Sequence, residues 1–334
     1  MDCKKFFESL KGKRIAMCGI GISNTPLIEN FLSKGARVIA CDRRTREQIG
    51  PLCEHLESQG AELKLGENYL DNLEVDIIFR TPGMSFNLPE LDDARKRGIA
   101  VTSEMEVFFD LCPCKIIAVT GSDGKTTTTT LVSEMLKAAG KRVWLGGNIG
   151  TPLLPLVRQM KEEDFAVVEL SSFQLMDMTR SPSRALITNL APNHLDVHKD
   201  MDEYVEAKKN IYRFQENTGV LVINADNAIT APLRGNGTTK TFSRMGQGSI
   251  CLQDGLICRN GTPALNTRDI LIPGVHNIEN YMAAILAVEG LVDDDTIRDV
   301  ARTFGGVEHR IELVRVKDGV KFYNDSIASS PTRT

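Results

Sequence analysis

The run Thr120-Gly121-Ser122-Asp123-Gly124-Lys125-Thr126 lies between an apolar stretch and a segment of helical period. Glycines in such a turn let backbone N–H groups wrap a phosphate, and a helix N-terminus adds its dipole. Lys125 is placed to reach β- and γ-phosphates, and the Thr126 or Thr127 hydroxyl to meet Mg²⁺. The loop is shorter than the general G-x-x-x-x-G-K-[ST] pattern, so the strand–turn–helix setting carries the nucleotide reading. The competing explanation is an ordinary turn with an exposed lysine. Thr126 to Thr130 are five threonines in a row, poor helix-forming material. A phosphate site gives a reason to keep at least the first two.

Three further places could do chemistry. Glu169 ends an apolar run and is followed by Ser171-Ser172-Phe173-Gln174. A carboxylate at the C-terminal edge of a parallel strand faces the crevice where ligands bind and can hold Mg²⁺ beside phosphates. The 189–198 segment, with His194, Asp196 and His198, follows another apolar run. It could ligate a metal or position a phosphate; zinc held by His194 and His198 is the weaker alternative, because Pro192 disfavours a continuous helix there. Met201, Tyr204, Val205, Ile211 and Tyr212 share one helical face, and Lys208 occupies the i+7 position of that apolar stripe. Such a lysine either snorkels out or has a task, since an unpaired buried ammonium costs several kcal/mol.

These groups need strand ends and helix starts to position them. Segments 14–18, 37–41, 61–65, 75–79 and 99–101 read as strands, with amphipathic helices such as 25–33 and 88–97 between them. Strand and helix in alternation predict a parallel sheet wrapped by helices. Residues 112–115 read as a linker. A second series follows: strands at 116–120, 142–145, 165–170, 185–189 and 220–224, and helices at 126–139, 277–289 and 296–303. Segment 249–259 reads as a hairpin around Asp254-Gly255. A boundary is expected near Gly305-Gly306, followed by a single strand at 320–323 and its turn, too little to fold alone.

Composition narrows the class. Of 334 residues, 42% are hydrophobic and 25% charged, an ordinary globular balance for two to three domains. The formal charge of -4 leaves no basic footprint for nucleic acid. The charged N-terminus lacks the apolar core of a secretory signal, and no run approaches the roughly 20 apolar residues of a membrane span. Eight cysteines in so long a chain do not form a disulfide scaffold. Cys112-Pro113-Cys114 is not a C-x-x-C and has no second pair at zinc spacing.

Taken in order, Gly121 to Thr127, Gly147-Asn148-Ile149-Gly150, Glu169-Leu170-Ser171-Ser172-Phe173-Gln174-Leu175, the 189–198 loop, Ala207-Lys208, Gly274-Val275-His276-Asn277-x-x-Asn280, Glu308-His309-Arg310 and Asn324-Asp325-Ser326 resemble the Mur ligases over the whole chain. The E-L-S-S-F-Q-L run resembles the D-glutamate-adding branch. The resemblance implies a Rossmann-like UDP-substrate domain (1–112), a central ATPase domain with a parallel sheet (113–306) and the start of a third Rossmann-like domain (307–334). It implies an ATP-dependent ligase joining D-glutamate to UDP-N-acetylmuramoyl-L-alanine through an acyl phosphate, in cytoplasmic synthesis of peptidoglycan precursors. By this resemblance Gly121, Ser122, Asp123, Gly124, Lys125, Thr126, Thr127, Asn277, Asn280, Arg310 and Asp325 surround ATP. Thr126 and Glu169 hold one Mg²⁺, and His194 with a carbamylated Lys208 a second. Ile22, Ser23, Asp42, Arg43, Thr81, Gly83, Asn148 and His194 line the substrate site. A monomer without nucleic-acid or membrane partners is expected, and this chain, lacking most of the third domain, is expected to be inactive in ligation. Two departures stand out: Asn24 where a dinucleotide fingerprint needs its third glycine, and Ile327 where family members often have lysine. Other ligases of the superfamily, a nucleotide- or UDP-sugar-binding module, and a dinucleotide oxidoreductase are the competing classes.

Overall fold

The computed structural model describes residues 2–21, 24–192 and 198–326. The chain forms two compact units: residues 1–114, 150–162 and 172–180 make the first, and residues 115–149, 163–171 and 181–334 the second. The first unit thus takes in two segments far along the chain from its main body.

In the first unit, β1 (Arg14–Cys18), β2 (Arg37–Asp42), β3 (Glu62–Leu65), β4 (Ile77–Arg80) and β5 (Ala100–Ser103) form a sheet of order β3-β2-β1-β4-β5. Every pairing in it is parallel. After an exposed first arginine β1 is apolar to its end and β2 is apolar as far as Asp42, as strands covered on both faces must be. The helix Thr25–Ser33 buries Leu27, Ile28 and Phe31. Segment 172–180 is held by Arg80, only 1% exposed, which ion-pairs with Asp177 and donates to the Phe173 and Met84 carbonyls. Segment 150–162 is held at Glu104, whose Oε1 accepts from the Leu153 and Leu154 amides.

In the second unit, β6 (Lys115–Thr120), β7 (Val143–Gly147), β8 (Phe165–Glu169), β9 (Arg184–Ile187), β10 (Val220–Asn224), β11 (Thr238–Ser243), β12 (Ile250–Gln253), β13 (Leu256–Arg259) and β14 (Thr262–Asn266) form a sheet of order β14-β13-β12-β11-β10-β9-β6-β8-β7. It is parallel from β7 to β12 and antiparallel over β12-β13-β14. The helix Val275–Ala287 is buried almost all round and packs with the helix Lys125–Ala138 over the core. The β12–β13 turn carries Asp254 at φ 47° and Gly255 at φ 78°, the left-handed pair that a type I′ hairpin requires.

The single strand expected near 320–323 is a hairpin: β15 (Glu312–Lys317) pairs antiparallel with β16 (Val320–Asn324). Asp318 and Gly319 repeat the Asp-Gly turn, with φ of 52° and 76°. The alternating Glu-Leu-Val-Arg-Val-Lys pattern is half charged, which hid β15 from a reading tuned to apolar runs. Among the described residues no helix is long and apolar enough to cross a membrane.

Candidate functional site

β6 ends at Thr120, and the chain turns through Gly121 and Gly124 into the helix Lys125–Ala138. A Cβ on Gly121, at φ 152°, would lie 1.9 Å from Thr188 Oγ1; one on Gly124, at φ 76°, would lie 2.4 Å from Asn280 Oδ1. Both positions therefore require glycine, and the loop closes tightly on its neighbours. The Ser122 and Asp123 amides donate to Asn189, the first to its backbone oxygen (2.9 Å) and the second to Oδ1 (3.0 Å). Lys125 Nζ donates to the Ser122 carbonyl at 3.0 Å.

The threonine run resolves into separate tasks. Thr126 Oγ1 donates to Glu169 Oε2 at 2.7 Å, and Thr128 Oγ1 to Asn280 Oδ1 at 3.2 Å. Thr129 and Thr130 donate back to the carbonyls of Lys125 and Thr126, each at 2.8 Å. That i−4 bonding satisfies hydroxyls that would otherwise be buried without partners. Thr127, on the same first turn, is half-buried.

Glu169 is 1% exposed at the end of β8. Its second oxygen accepts from Asn148 Nδ2 at 2.8 Å, while the Asn148 amide donates to the Glu169 carbonyl at 2.8 Å. Asn148, expected on the substrate, stands beside this carboxylate. Asn277 and Asn280 are buried in the first turns of Val275–Ala287; Asn280 Nδ2 donates to Asn277 Oδ1 at 3.0 Å.

Lys208 does not snorkel. Its side chain is buried at 2% exposure on the helix Met201–Arg213. Nζ donates to Thr120 Oγ1 and to the Gly121 carbonyl, both at 3.0 Å, and lies 4.9 Å from the Tyr204 ring centre. Burial, and next the Lys125 charge, push the amine well below its ordinary range, against an opposing pull from Glu169. A neutral amine is the form that adds CO₂. Lys209, one step round, pairs with Glu206 at 2.6 Å.

Tight glycines, a hydroxyl–carboxylate pair and a buried basic nitrogen share one strand edge, which fits phosphate and a divalent cation. Among the described residues no cluster of three His, Cys, Asp or Glu side chains could hold a metal. The donor set here is instead a hydroxyl, a carboxylate and a modifiable lysine. His194 lies outside the described residues. His198 is 2% exposed, ring edge to face with Tyr204 at 5.3 Å. Arg310 is exposed on the segment before β15, and Asp325 Oδ1 accepts from the Ile311 amide at 3.2 Å; the bonds of Asp325 are local to that hairpin.

In the first unit the strand ends converge as expected of an open parallel sheet. Asp42 Oδ2 accepts from the Ile20 amide at 2.7 Å, and Arg44 donates to both carboxylate oxygens. Burial alone would raise this carboxyl, but hydrogen bonds from Arg44 and Ile20 outweigh it and hold it below the usual range. Arg43 and Arg44 are both exposed, and it is Arg44, missed in the sequence, whose guanidinium bonds the Asp42 carboxylate and orders this loop. Gly19, at φ 95°, would place a Cβ 2.9 Å from the Thr81 side chain, whereas Gly83 has open space. Asn24, 3% exposed, donates to the Cys18 and Gly19 carbonyls at 2.9 and 3.1 Å. Its amide does structural work there that a glycine could not. Ile22, Ser23 and Ile327 lie outside the described residues.

The fold and site define an α/β protein with a tight glycine loop between a parallel strand and a helix, a setting that fits nucleotide phosphate. Residues 119–288 match the model of the Mur ligase middle domain, and residues 13–103 that of the Mur ligase MurD-like N-terminal domain. The chain is 54% identical, over 98% of its length and 72% of the relative's, to the UDP-N-acetylmuramoylalanine–D-glutamate ligase of Acetivibrio thermocellus. It is 49% identical, over 99% of its length and 73% of the relative's, to the protein of that name from Clostridium botulinum strain Langeland. The chain belongs to the Mur ligase family. Solved structures share the fold. UDP-N-acetylmuramate–alanine ligase of Thermotoga maritima matches with TM-score 0.60 and 22% identity, over 96% of this chain and 75% of that one. MurF ligase of the same organism, in complex with ADP, matches with TM-score 0.56 and 18% identity, over 98% and 71%.

Proposed function

We propose that the chain serves ATP-dependent ligation of D-glutamate to UDP-N-acetylmuramoyl-L-alanine, a step of peptidoglycan precursor synthesis, as the names of its relatives describe for them, and that by itself it binds the UDP-linked substrate without ligating. The observation that supports this chemistry on the chain itself is Lys208, buried within 3.0 Å of the Gly121 carbonyl of the phosphate loop. The substrate carboxylate attacks the γ-phosphorus and ADP leaves. The amine of D-glutamate then attacks the acyl phosphate carbon, phosphate departs, and the amine loses its proton. Gly121, Ser122, Asp123, Gly124, Lys125, Thr126 and Thr127 cradle ATP, with Asn277, Asn280, Arg310 and Asp325 around it.

Thr126 and Glu169 would hold one Mg²⁺, and His194 with Lys208, as its carbamate, a second. The cations would supply charge neutralisation on the transferring phosphoryl group, where catalysis of this step lies. Asn148 orients Glu169 through its 2.8 Å hydrogen bond. Residues 1–112 receive the uridine end of the substrate near Ile22, Ser23, Asp42, Arg43, Thr81 and Gly83; residues 113–306 carry the ATP site and 307–334 begin a third domain. The protein acts as a cytoplasmic monomer without nucleic acid or membrane insertion.

The test pairs a calorimetric titration of this chain with UDP-N-acetylmuramoyl-L-alanine and a D-glutamate-dependent phosphate assay on a chain extended to its relatives' length. Binding and D-glutamate-stimulated phosphate release are expected. Release stimulated equally by meso-diaminopimelate or lysine would overturn the substrate assignment.

A further inference from the structure

Six of the eight cysteines stand in neighbouring pairs. Cys18 and Cys41 are register partners on β1 and β2, and Cys251 and Cys258 on β12 and β13. Both pairs are buried. The third pair differs. Cys112 and Cys114 bring their Sγ atoms to 3.4 Å, and Cys112 is half-buried. Cys112 also lines an open cleft of about 460 Å³ with Cys3, Lys4, Asp110, Pro113 and Arg158, a volume within the range that small-molecule sites occupy.

The backbone holds the two thiols together. Cys112 caps the helix Glu104–Leu111 with φ -63° and ψ 119°, the extended geometry that a following proline demands, and its amide donates to Phe108 O at 2.8 Å. Pro113 has φ locked near about −65° by its ring, and β6 starts at Lys115. Few conformers are open to a junction so confined, so little chain entropy stands between the dithiol and a closed ring.

We propose that Cys112 and Cys114 form a redox-active dithiol, a modification site that a small-molecule disulfide converts to an intramolecular disulfide. One thiolate attacks a sulfur of the oxidant RSSR, making a mixed disulfide and releasing RS⁻. The second thiolate attacks the protein sulfur of that mixed disulfide and releases the other RS⁻. The two protons lost by the cysteines go to the two released thiols, and the pair is oxidised by two electrons as RSSR is reduced. The bridge lies at the end of the first unit's N-terminal segment, the first of the places where the chain passes from one unit to the other. The hydrogen bond with Cys114, and then burial, push the Cys112 thiol up, so exchange is slow and the test is read at equilibrium.

The native chain is equilibrated with mixtures of oxidised and reduced glutathione and quenched in acid. Remaining thiols are blocked with N-ethylmaleimide in denaturant, and peptides are mapped by mass. The peptide holding Cys112 and Cys114 is expected to lose two hydrogens and take no maleimide. That species should exceed the glutathione adduct about tenfold or more, because the second thiol is already in place. Cys18, Cys41, Cys251 and Cys258 should all take maleimide. In Cys114→Ser the same treatment should leave a stable glutathione adduct on Cys112. The proposal is overturned if the wild-type pair accumulates the adduct instead of the ring. It is equally overturned if both cysteines stay alkylatable at a ratio that oxidises a Cys-Pro-Cys peptide. Should Cys114→Ser misfold, the wild-type map decides alone.

Discussion

The Thr126 hydroxyl donates to one oxygen of Glu169 at 2.7 Å while Asn148 donates to the other at 2.8 Å. The carboxylate is thus held from both sides, between the phosphate loop and the strand end beside it.

Glu169→Gln keeps the shape of this arrangement but removes the charge a cation would meet. Phosphate release by the extended chain should fall by about 100-fold or more, the scale of losing one electrostatic stabiliser of a transition state. The melting temperature should change little. Near wild-type turnover would remove Glu169 from the assigned role.

Lys208 makes opposite predictions for stability and activity. Its amine is held well below the ordinary lysine range, so the unfolded chain binds a proton that the native chain does not. Stability should therefore rise with pH below the unfolded lysine range and be lost as pH falls. Lys208→Met should remove that slope and leave stability unchanged or higher by about 1 kcal/mol, with ligation abolished. Carbon-13 bicarbonate should label a carbamate in the wild type and not in the variant; an unlabelled wild type, active at full rate, would count against carbamylation.

Gly147 tests the backbone behind Glu169. At φ 97°, an added Cβ would sit 2.2 Å from the Glu169 carbonyl oxygen, a clash with backbone that no rotamer can relieve. Gly147→Ala should cost about 2 kcal/mol or more in a denaturant titration. A loss below about half that would mean the strand end yields more readily than its packing implies.

Glu106 makes the first unit sensitive to pH. Burial, then the Asp177 charge, raise its carboxyl from 4.5 to about 7. The native state keeps a proton that the unfolded state releases between those values, so this group's contribution is present below pH 4.5 and lost as pH rises through about 7. Glu106→Gln should flatten that slope and stabilise the protein by about 1–3 kcal/mol at pH 8. Chemical denaturation at pH 5 and pH 8 measures both; an equal effect at the two values would rule out titration as the cause.

What could be read in the chain was local. Gly121, Gly124 and Lys125 announce a tight strand–turn–helix loop because backbone conformation and helix start are set by neighbours in sequence. Glu169 was legible because a strand's C-terminal edge is known once the strand is. Asp254-Gly255 marked a hairpin, and Asp318-Gly319 would have marked another had charge not obscured β15.

Helical period alone exposed Lys208 as out of place on an apolar face, but whether it snorkels or stays buried depends on what packs over it. Only the tertiary structure, with Thr120 and Gly121 waiting 3.0 Å from Nζ, decided for burial. Arg43 and Arg44 are neighbours of one type, and the geometry of the strand exit alone chose Arg44 for Asp42. Arg80 lies just past the 75–79 segment read as a strand, and its partner Asp177 lies 97 positions on, beyond the reach of any local pattern. Residue type and spacing determined which chemistry this chain carries. Which groups are buried, and against which partner, is a property of long-range packing, because burial and pairing are settled by whatever surface the folded chain brings into contact.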